Sequence, residues 1–358
     1  MIGGIIGDIV GSVYEFTPMN IKSKDFLFFD EQGSYTDDSI LSVATADWLL
    51  HGGDVAHYYS RYGAENPWPK GGYGGGFQCW IVRSSRQGDY RPYDSCGNGS
   101  GMRVGPVGWA FETREEVLEA AKKSAECTHN HPEGIKGAQA IALCVFMARK
   151  GFSKEDIRKE IEKTFHYDLN FTCDGIRDTY QWGGTCQESV PQAIVAFLDG
   201  EDFEDCIRNA ISIGGDSDTI GCMTGSIAEA YFGVPKLMYE KAMSLLDWKF
   251  CDIVEEFEEK YGNKVIYYPV DVENVFPLYD ELSHHFPWDD VEACINDKIA
   301  PKAQHTPCPM CGKPSEKLEW IHFCSPMSTW KSLCGREGPL SICPDCHYQV
   351  EFICEVMN

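Results

Sequence analysis

Residues 214–221 read GGDSDTIG, and they stand directly ahead of a strongly helical stretch. A second group of oxygen donors, YTDDS at residues 35–39, also precedes a stretch with helical spacing of apolar residues. Neither group contains a histidine or a cysteine. The two groups therefore favour a cation with all-oxygen coordination, such as magnesium, manganese or calcium, over zinc or copper.

Acids at the start of a helix also have an ordinary explanation, because the helix dipole and the unpaired N–H groups favour carboxylates there. Capping is the alternative for Asp37 and Asp38, and equally for Asp216 and Asp218. Two such groups, each with an adjacent Ser or Thr, are harder to explain in this way, since four carboxylates repel one another unless a cation neutralises them. The metal hypothesis requires that the two groups meet in space.

Helical spacing of apolar residues recurs from the N-terminus to about residue 260, and alternating strand patterns are almost absent before residue 262. The predicted helices cover residues 2–16, 39–50, 114–127, 134–149, 154–165, 188–198, 203–213, 219–232 and 236–246. We predict an all-α domain over residues 1–262, a connecting segment over 263–304 that begins with a β-like stretch at 265–270, and a small β-type zinc ribbon over 305–358.

The first predicted helix carries glycines at positions 3, 4, 7 and 11, which form one smooth stripe against which another backbone can pack closely. Asp8 and Glu15 are seven residues apart, so a helix through residue 16 would place them on one face, two turns apart. The alternative for Asp8 is a buried structural acid that caps a neighbouring element.

Composition narrows the possible partners. The net charge of −24 argues against nonspecific binding to nucleic acid or to anionic lipid, and no apolar run has the length of a bilayer-spanning helix. The 17 cysteines are an odd number, and many fall in helical patterns, which suits a reducing compartment. We therefore expect a cytoplasmic protein.

The C-terminal region contains two C-x-x-C pairs, in a spacing that suits tetrahedral zinc. The predicted ligands of one structural zinc ion are Cys308, Cys311, Cys343 and Cys346. The alternatives are a disulfide pair or a redox motif. Competing ligands are available at His322, Cys324, Cys334 and His347.

Two glycine-rich segments, at residues 71–76 and 97–103, allow main-chain N–H groups to approach a ligand closely. Neither segment has the Lys-Ser or Lys-Thr of a Walker loop, and neither follows a strand as a dinucleotide-binding fingerprint does. Such loops could cradle a phosphate, but they are also ordinary turn sequences.

The order of these motifs along the chain resembles that of the ADP-ribosylglycohydrolase family, over about residues 1 to 250. The motifs are GDIVG at 7–11 with Glu15, TDDS at 36–39, GNG at 97–99, Thr128-His129, and GGDSDTI at 214–220. That family includes the dinitrogenase reductase-activating glycohydrolase and the ADP-ribosyl-acceptor hydrolases. The resemblance implies a compact all-α fold and excludes the C-terminal segment from the common domain.

The resemblance also implies a site with two magnesium ions, for which manganese could substitute. The implied metal ligands are Thr36, Asp37, Asp38, Asp216, Asp218 and Thr219. The resemblance gives Glu15 an acid/base or gating role. We add the hypothesis that Asp216, as an acid that bridges both ions, also activates a water molecule. The implied substrate-binding residues are Gly74, Ser95, Gly97, Asn98, Gly99 and His129. Cys96 departs from those members that place an aromatic residue there against the nucleotide.

The expected function is therefore a magnesium-dependent hydrolase that cleaves the glycosidic bond between ADP-ribose and a modified target, with a protein side chain as the first choice of target. One alternative is a module that binds ADP-ribose without turnover. Another is a hydrolase that acts on an ADP-ribosylated nucleic acid or small molecule. A structural role for the helical domain, with the zinc ribbon as the interacting part, is a third possibility.

Overall fold

The computed structural model of the chain describes residues 1–16 and 20–262, together with the two-residue strands at 265–266, 319–320 and 341–342. Its helices are α1 (Ile2–Gly11), α2 (Asp37–His51), α3 (Val55–Glu65), α4 (Gly75–Gln87), α5 (Gly99–Met102), α6 (Val107–Ala110), α7 (Arg114–Glu126), α8 (Pro132–Arg149), α9 (Lys154–Phe165), α10 (Cys173–Ile176), α11 (Cys186–Asp199), α12 (Phe203–Ser212), α13 (Ser217–Phe232), α14 (Lys236–Leu245) and α15 (Trp248–Tyr261). The prediction of a helical architecture for the first 260 residues is confirmed.

The strands are short. β1 (Val234–Pro235) pairs in parallel with β2 (Val265–Ile266), and β3 (Glu319–Trp320) pairs antiparallel with β4 (Ser341–Ile342). The chain divides into two compact units, one of residues 1–26 with 32–267 and the other of residues 27–31 with 268–358. The predicted zinc ligands Cys308, Cys311, Cys343 and Cys346 lie outside the described residues, as does most of the predicted connecting segment.

The centre of the first unit is the contact between α1 and α13. Every residue of α1 is buried. A Cβ atom on Gly3 would lie 2.4 Å from the carbonyl oxygen of Gly225, and one on Gly7 would lie 2.0 Å from the carbonyl oxygen of Gly221. Both distances are impossible for a real side chain, so the two backbones touch. The predicted role of the glycine stripe is confirmed.

The first helix ends earlier than predicted, at Gly11 instead of residue 16. The Ser12 hydroxyl donates to the carbonyl oxygen of Ile9 at 2.8 Å, and it also accepts from the backbone N–H of Ser34 and from Lys70 Nζ. These contacts come from distant parts of the chain and hold the residue after the helix. Glu15 therefore lies beyond the helix, and the predicted shared helical face of Asp8 and Glu15 is wrong.

The other predicted helices are present, with ends that differ by no more than two residues. Three long helices, α3, α4 and α15, were not predicted. α4 begins with two glycines and α3 is rich in aromatic residues, and both compositions have weak intrinsic helix propensity. Packing of α3 against α2 and α4 supplies the stability that propensity does not.

Burial of α13 positions the functional site. All of its residues from Ser217 to Ala230 are buried, so its N-terminus lies in the interior of the protein. The N-terminus of α2 lies beside it, because Thr219 of α13 donates a hydrogen bond to Asp38 of α2. Among the described helices, none is both long enough and apolar enough to cross a bilayer.

Candidate functional site

A cavity of about 410 Å³ lies where the N-termini of α2 and α13 meet two glycine-rich loops. One wall is acidic and consists of Glu15, Asp37, Asp38, Asp216 and Asp218. The rest of the lining, which we call the facing wall, consists mainly of residues 71–76, 93, 95 and 97–99, Arg103 and His129. The cavity therefore has two chemically different sides.

The two acidic groups recognised in the sequence meet in this wall. Thr219 at the start of α13 donates from Oγ1 to Asp38 Oδ2 of α2, at 3.3 Å. Carboxylate oxygens of Asp8, Asp38 and Asp218 all lie within 4.8 Å of one another, and so do those of Glu15, Asp216 and Asp218. Residues about 180 positions apart in the sequence thus form one cluster.

Both carboxylate oxygens of Asp8 accept hydrogen bonds from residues at the start of α2. One of its oxygens accepts from Thr36 Oγ1 at 2.7 Å, and the other accepts from the backbone N–H groups of Thr36 and Ser39, at 2.9 and 3.0 Å. The Ser39 hydroxyl donates to that second oxygen as well. Asp8 is therefore the structural acid of the alternative reading, and it orients the α2 terminus that carries Asp37 and Asp38.

Asp38 differs from Asp8 in this respect. Its Oδ1 is buried and has no hydrogen-bond partner among the described residues. Burial first, and then the nearby charges of Asp8, Asp37 and Asp216, raise the pKa of Asp38 well above its usual range. A buried carboxylate oxygen without a donor is unfavourable unless a cation or a proton satisfies it.

The acids at the N-terminus of α13 are likewise buried among other negative charges. Burial and the charges of Asp216 and Asp38 raise the pKa of Asp218 well above its usual range. Asp216 occupies the N-cap position but makes no side-chain capping bond. Instead, its Oδ2 accepts a hydrogen bond of 2.6 Å from Asn98 Nδ2 on the facing loop. Capping therefore does not explain Asp216.

These donors fit a divalent cation that prefers oxygen ligands. The acids are crowded, their ligand atoms converge, and Asp38 Oδ1 has no partner in the described part of the chain. Thr36 Oγ1 and Thr219 Oγ1 both lie 3.3 Å from Asp38 Oδ2 and add hydroxyl oxygens. Hard oxygen donors of this kind suit magnesium, manganese or calcium.

Glu15 lies at the mouth of the cavity and is partly buried. Burial, followed by the charge of Asp216, raises its pKa from an ordinary 4.5 to about 7. A hydrogen bond with Asp218 and the charge of Lys70 oppose this increase. Glu15 can therefore exist in either protonation state near neutral pH.

The loop with the GNG motif forms the facing wall. Gly97 forms an antiparallel bridge with Thr185, and the N–H of Asn98 donates to the carbonyl oxygen of Gly184 at 3.0 Å. Ser95 Oγ accepts from the N–H of Gly97 at 3.0 Å. The predicted residues Ser95, Gly97, Asn98 and Gly99 all line the cavity.

The other predicted ligand-facing residues, Gly74 and His129, line the cavity as well. Gly71 and Gly72 have positive φ, at 77° and 81°, which glycine adopts without strain. Gly75 and Gly76 already belong to α4, so only residues 71–74 of the predicted glycine loop form a loop. Burial and the charge of Arg103 lower the pKa of His129 well below its usual range, so the ring is neutral.

Several lining residues were missed in the sequence. Phe16 and Trp182 line the cavity with exposed aromatic rings, at 55% and 61% of their full accessibility, and Tyr93 and Arg103 also face it. Phe16 directly follows Glu15, and Trp182 directly precedes a Gly-Gly pair in a loop. An aromatic residue beside a predicted site residue or within a glycine-rich loop was the available signal.

Comparison with known proteins gives a consistent result. A family model described as ADP-ribosylglycohydrolase matches residues 1–262. ADP-ribosylhydrolase ARH3 of Bos taurus is 25% identical over 332 residues, which cover 72% of this chain and 90% of the relative. ADP-ribosylarginine hydrolase Tri1 of Pseudomonas putida (strain GB-1) is 25% identical over 262 residues, which cover 65% of this chain and 70% of the relative.

A solved structure described as an ADP-ribosylglycohydrolase-related protein complex is also similar. Its TM-score is 0.55 at 23% sequence identity, with coverage of 72% of this chain and 95% of that one. At this level of identity the similarity demonstrates a shared fold, which is the helical arrangement described above.

Proposed function

Because the chain belongs to the ADP-ribosylglycohydrolase family, we propose that it is a metal-dependent hydrolase that cleaves the glycosidic bond between ADP-ribose and a modified target. The observation that carries this proposal is the convergence of the two acidic groups in one cavity, with Asp38 Oδ1 unsatisfied among the described residues. A protein that merely capped two helices would have no need to bury these carboxylates together.

The proposed cofactor is a pair of magnesium ions. Their ligands would be Thr36, Asp37, Asp38, Asp216, Asp218 and Thr219. When bound, such ions orient hydroxyl groups of a ribose and lower the pKa of a water molecule. They would also offset the repulsion among the carboxylates of the acidic wall, because a divalent cation favours the ionised form of each carboxylate.

The chain itself supplies the groups that move protons. Hydrolysis of a glycosidic bond pairs a carboxylate that accepts a proton from water with an acid that protonates the leaving group. Asn98 fixes one oxygen of Asp216 beside the cavity, so Asp216 is the proposed acceptor. Glu15 lines the same cavity and lies close to Asp216 and Asp218, so it is the proposed proton donor or gate.

The facing wall would bind the ADP part. Main-chain N–H groups of a glycine-rich loop suit phosphate oxygens. We assign the binding of the ADP part to Gly74, Ser95, Gly97, Asn98, Gly99 and His129, since all of them line the same cavity. The N–H groups of Gly97 and Asn98 already donate to Ser95 Oγ and to the carbonyl oxygen of Gly184, so these two residues would contact the ligand through other atoms. Tyr93 and Trp182 supply aromatic surface that position 96, a cysteine, does not.

The proposed target is a protein side chain. The relative Tri1 is named an ADP-ribosylarginine hydrolase, and the exposed rings of Phe16 and Trp182 stand at the open side of the cavity, where a bulky acceptor could pack. ADP-ribosylated small molecules and nucleic acids are the alternative targets, and they form the other arms of the test.

The test is a panel of defined substrates, ADP-ribosylated on arginine, on serine and on a nucleotide, scored for released ADP-ribose. We expect release from at least one protein substrate, loss of release with a chelator, and recovery with magnesium. An Asp218→Asn variant should remain folded and inactive. Tight binding of ADP-ribose without release from any substrate would instead support the binding module.

For the C-terminal segment we propose one structural zinc ion held by the thiolates of Cys308, Cys311, Cys343 and Cys346, on the basis of their spacing. The domain limits of 262 and 305 belong to the same proposal. Metal analysis of the purified chain should find zinc that persists when magnesium is removed. A chain purified under reducing conditions without bound zinc would contradict it.

A further inference from the structure

Arg103 is a buried cation in the wall that faces the acids. Its side chain has no exposed surface, and its guanidinium carbon lies 3.9 Å from the centroid of the Tyr59 ring. Nη2 donates to the carbonyl oxygen of Ser124 at 2.9 Å and to Thr128 Oγ1 at 2.7 Å. Nε and Nη1 have no hydrogen-bond partner within the described residues. A guanidinium remains charged when buried, so this wall carries a fixed positive charge.

Thr128 connects Arg103 to His129. Its Oγ1 accepts from Arg103, because a guanidinium can only donate. The same oxygen lies 2.8 Å from His129 Nδ1 and 3.5 Å from the carbonyl oxygen of Ala125. The Thr128 side chain also hydrogen-bonds with the Cys127 thiol, but a thiol sulfur is a weak acceptor. The single hydroxyl hydrogen is therefore directed either to the imidazole nitrogen or to the carbonyl oxygen.

The Ala125 carbonyl is the poorer acceptor. It already accepts from the backbone N–H groups of Thr128 and His129, at 3.1 and 2.7 Å, and 3.5 Å is the far limit of a hydrogen bond. The adjacent guanidinium also polarises the hydroxyl and strengthens it as a donor. The hydroxyl hydrogen is therefore directed to Nδ1 of His129.

A neutral imidazole that accepts at Nδ1 carries its proton at Nε2. This nitrogen faces the GNG loop, since a Cβ atom on Gly99 would lie 3.1 Å from it and one on Gly97 would lie 3.6 Å from it. The ring is only 5% exposed, and the edge contact with Tyr93 restricts its rotation. Nε2–H thus stands beside the loop that lines the cavity.

We propose that Arg103 is a positioning residue, which acts through the Thr128 hydroxyl to hold His129 as a neutral donor aimed from Nε2 at an anionic oxygen of the bound substrate. The identity of that oxygen, on the diphosphate of ADP-ribose, rests on the proposed function. Burial of the ring, and then the charge on Arg103, also lower the pKa of His129, so the ring stays neutral.

The carboxylates and the cation Arg103 distribute charge unevenly around the cavity. Carboxylates on one wall repel an anionic group, whereas Arg103 and the Nε2–H of His129 attract one on the other wall. This distribution of charge favours a ligand whose phosphates lie towards Arg103 and His129 and whose sugar lies towards the carboxylates. Arg103 contributes to this orientation although it need not touch the ligand.

The test is the Thr128→Val variant, which removes the hydroxyl but retains Arg103 and the shape of the side chain. We expect His129 to lose its preference for the Nε2–H tautomer, which ¹⁵N NMR of labelled histidine detects. Assignment among the 10 histidines uses the spectrum of His129→Gln. KM for the ADP-ribosylated substrate should rise about tenfold with kcat unchanged, as expected for one lost hydrogen bond to a charged group.

Thr45→Val is the matched control. Thr45 Oγ1 contacts the Tyr59 hydroxyl at 2.8 Å in the same buried network, but it does not contact His129. This variant should leave both the tautomer and KM unchanged. His129→Gln, which retains a side-chain N–H donor, should preserve KM better than His129→Leu.

An unchanged tautomer in Thr128→Val would overturn the proposal, and so would an equal rise in KM in Thr45→Val. The experiment also separates this inference from the proposed function. If the native chain released no ADP-ribose at all, the tautomer and the affinity for ADP, measured by calorimetry, would still decide whether Arg103 acts through Thr128.

Discussion

The starts of α2 and α7 share an N-cap threonine and two acids in the first turn, but they have different surroundings. α7 begins with Thr113 as its N-cap and has Glu115 and Glu116 in its first turn. α2 begins with Thr36 as its N-cap and has Asp37 and Asp38 in its first turn. In each helix the threonine oxygen accepts a backbone N–H from the first turn.

The difference lies in what surrounds the acids. Glu116 completes an exposed capping box, in which its carboxylate accepts from the N–H and the hydroxyl of Thr113. Asp38 is buried among Asp8, Asp216 and Asp218, which come from other elements. Acids at a helix start therefore become a candidate site only when tertiary packing buries several of them together without enough donors.

The largest effect should come from Asp218→Asn compared with Glu116→Gln. Both changes remove one carboxylate charge from the first turn of a helix. We expect Asp218→Asn to reduce kcat/KM by about a thousandfold or more, since metal ions contribute several kcal/mol of transition-state stabilisation. Glu116→Gln should retain full activity.

Steady-state release of ADP-ribose measures the effect, with circular dichroism as the test of folding. The metal-free form of Asp218→Asn should also melt at a higher temperature than the native chain, because one repelling charge has been removed. Full activity in this variant would show that the metal assignment is wrong.

The next effect is thermal stabilisation by magnesium. A ligand that binds only the folded state stabilises it by about 2.7 kcal/mol at a hundredfold excess over Kd, which for a domain of this size raises Tm by about 5 °C. The Asp38→Asn variant should lose this increase, and Glu116→Gln should retain it. Equal shifts in both variants would place the ions elsewhere.

The dependence of stability on pH provides another comparison between the buried acids of the cavity and the exposed acids of α7. The pKa of Glu15 is raised from 4.5 to about 7, first by burial and then by the charge of Asp216. The folded, metal-free chain then binds this proton more tightly than the unfolded chain does. The contribution of Glu15 to stability should therefore be fully present below about pH 4.5 and be lost as the pH rises through about 7.

Urea denaturation at a series of pH values measures this slope. Glu15→Gln should make it shallower, whereas Glu116→Gln should leave it unchanged. Magnesium should flatten it in the native chain, since the ion offsets the repulsion among the carboxylates. A Glu15→Gln variant whose slope between pH 4.5 and 7 equalled that of the native chain would contradict the raised pKa of Glu15.

The smallest effect is expected at Thr113, the exposed N-cap of α7. Thr113→Ala should lower the free energy of unfolding by about 1 kcal/mol, the usual contribution of an N-cap side chain. Activity and the response to magnesium should not change, because Thr113 lies outside the cavity. A loss of activity without a loss of stability would show that α7 has a role beyond its own packing.

Much of this molecule could be predicted from local patterns. Apolar spacing identified most of the long helices, and the stripe of Gly3, Gly4, Gly7 and Gly11 correctly predicted a close backbone contact. The helix starts at 37 and 217 were placed within two residues. These features depend on neighbours three or four positions apart in the chain, which periodicity reports directly.

The end of α1 could not be predicted, because Ser12 is held by Ser34 and Lys70 from other parts of the chain. The same is true of Arg103, whose relation to His129 passes through Thr128 at the end of α7. Trp182 was missed because the course of its loop depends on the bridge between Gly97 and Thr185.

The sequence by itself determined that the chain is helical, where most of its long helices begin, and which residues are chemically able to bind a cation. Only the tertiary structure decided that Asp8 is fully hydrogen-bonded whereas Asp38 retains an unpartnered oxygen among the described residues. The physical reason is that the state of a buried carboxylate depends on every donor and charge around it, and packing brings these together from distant positions in the chain.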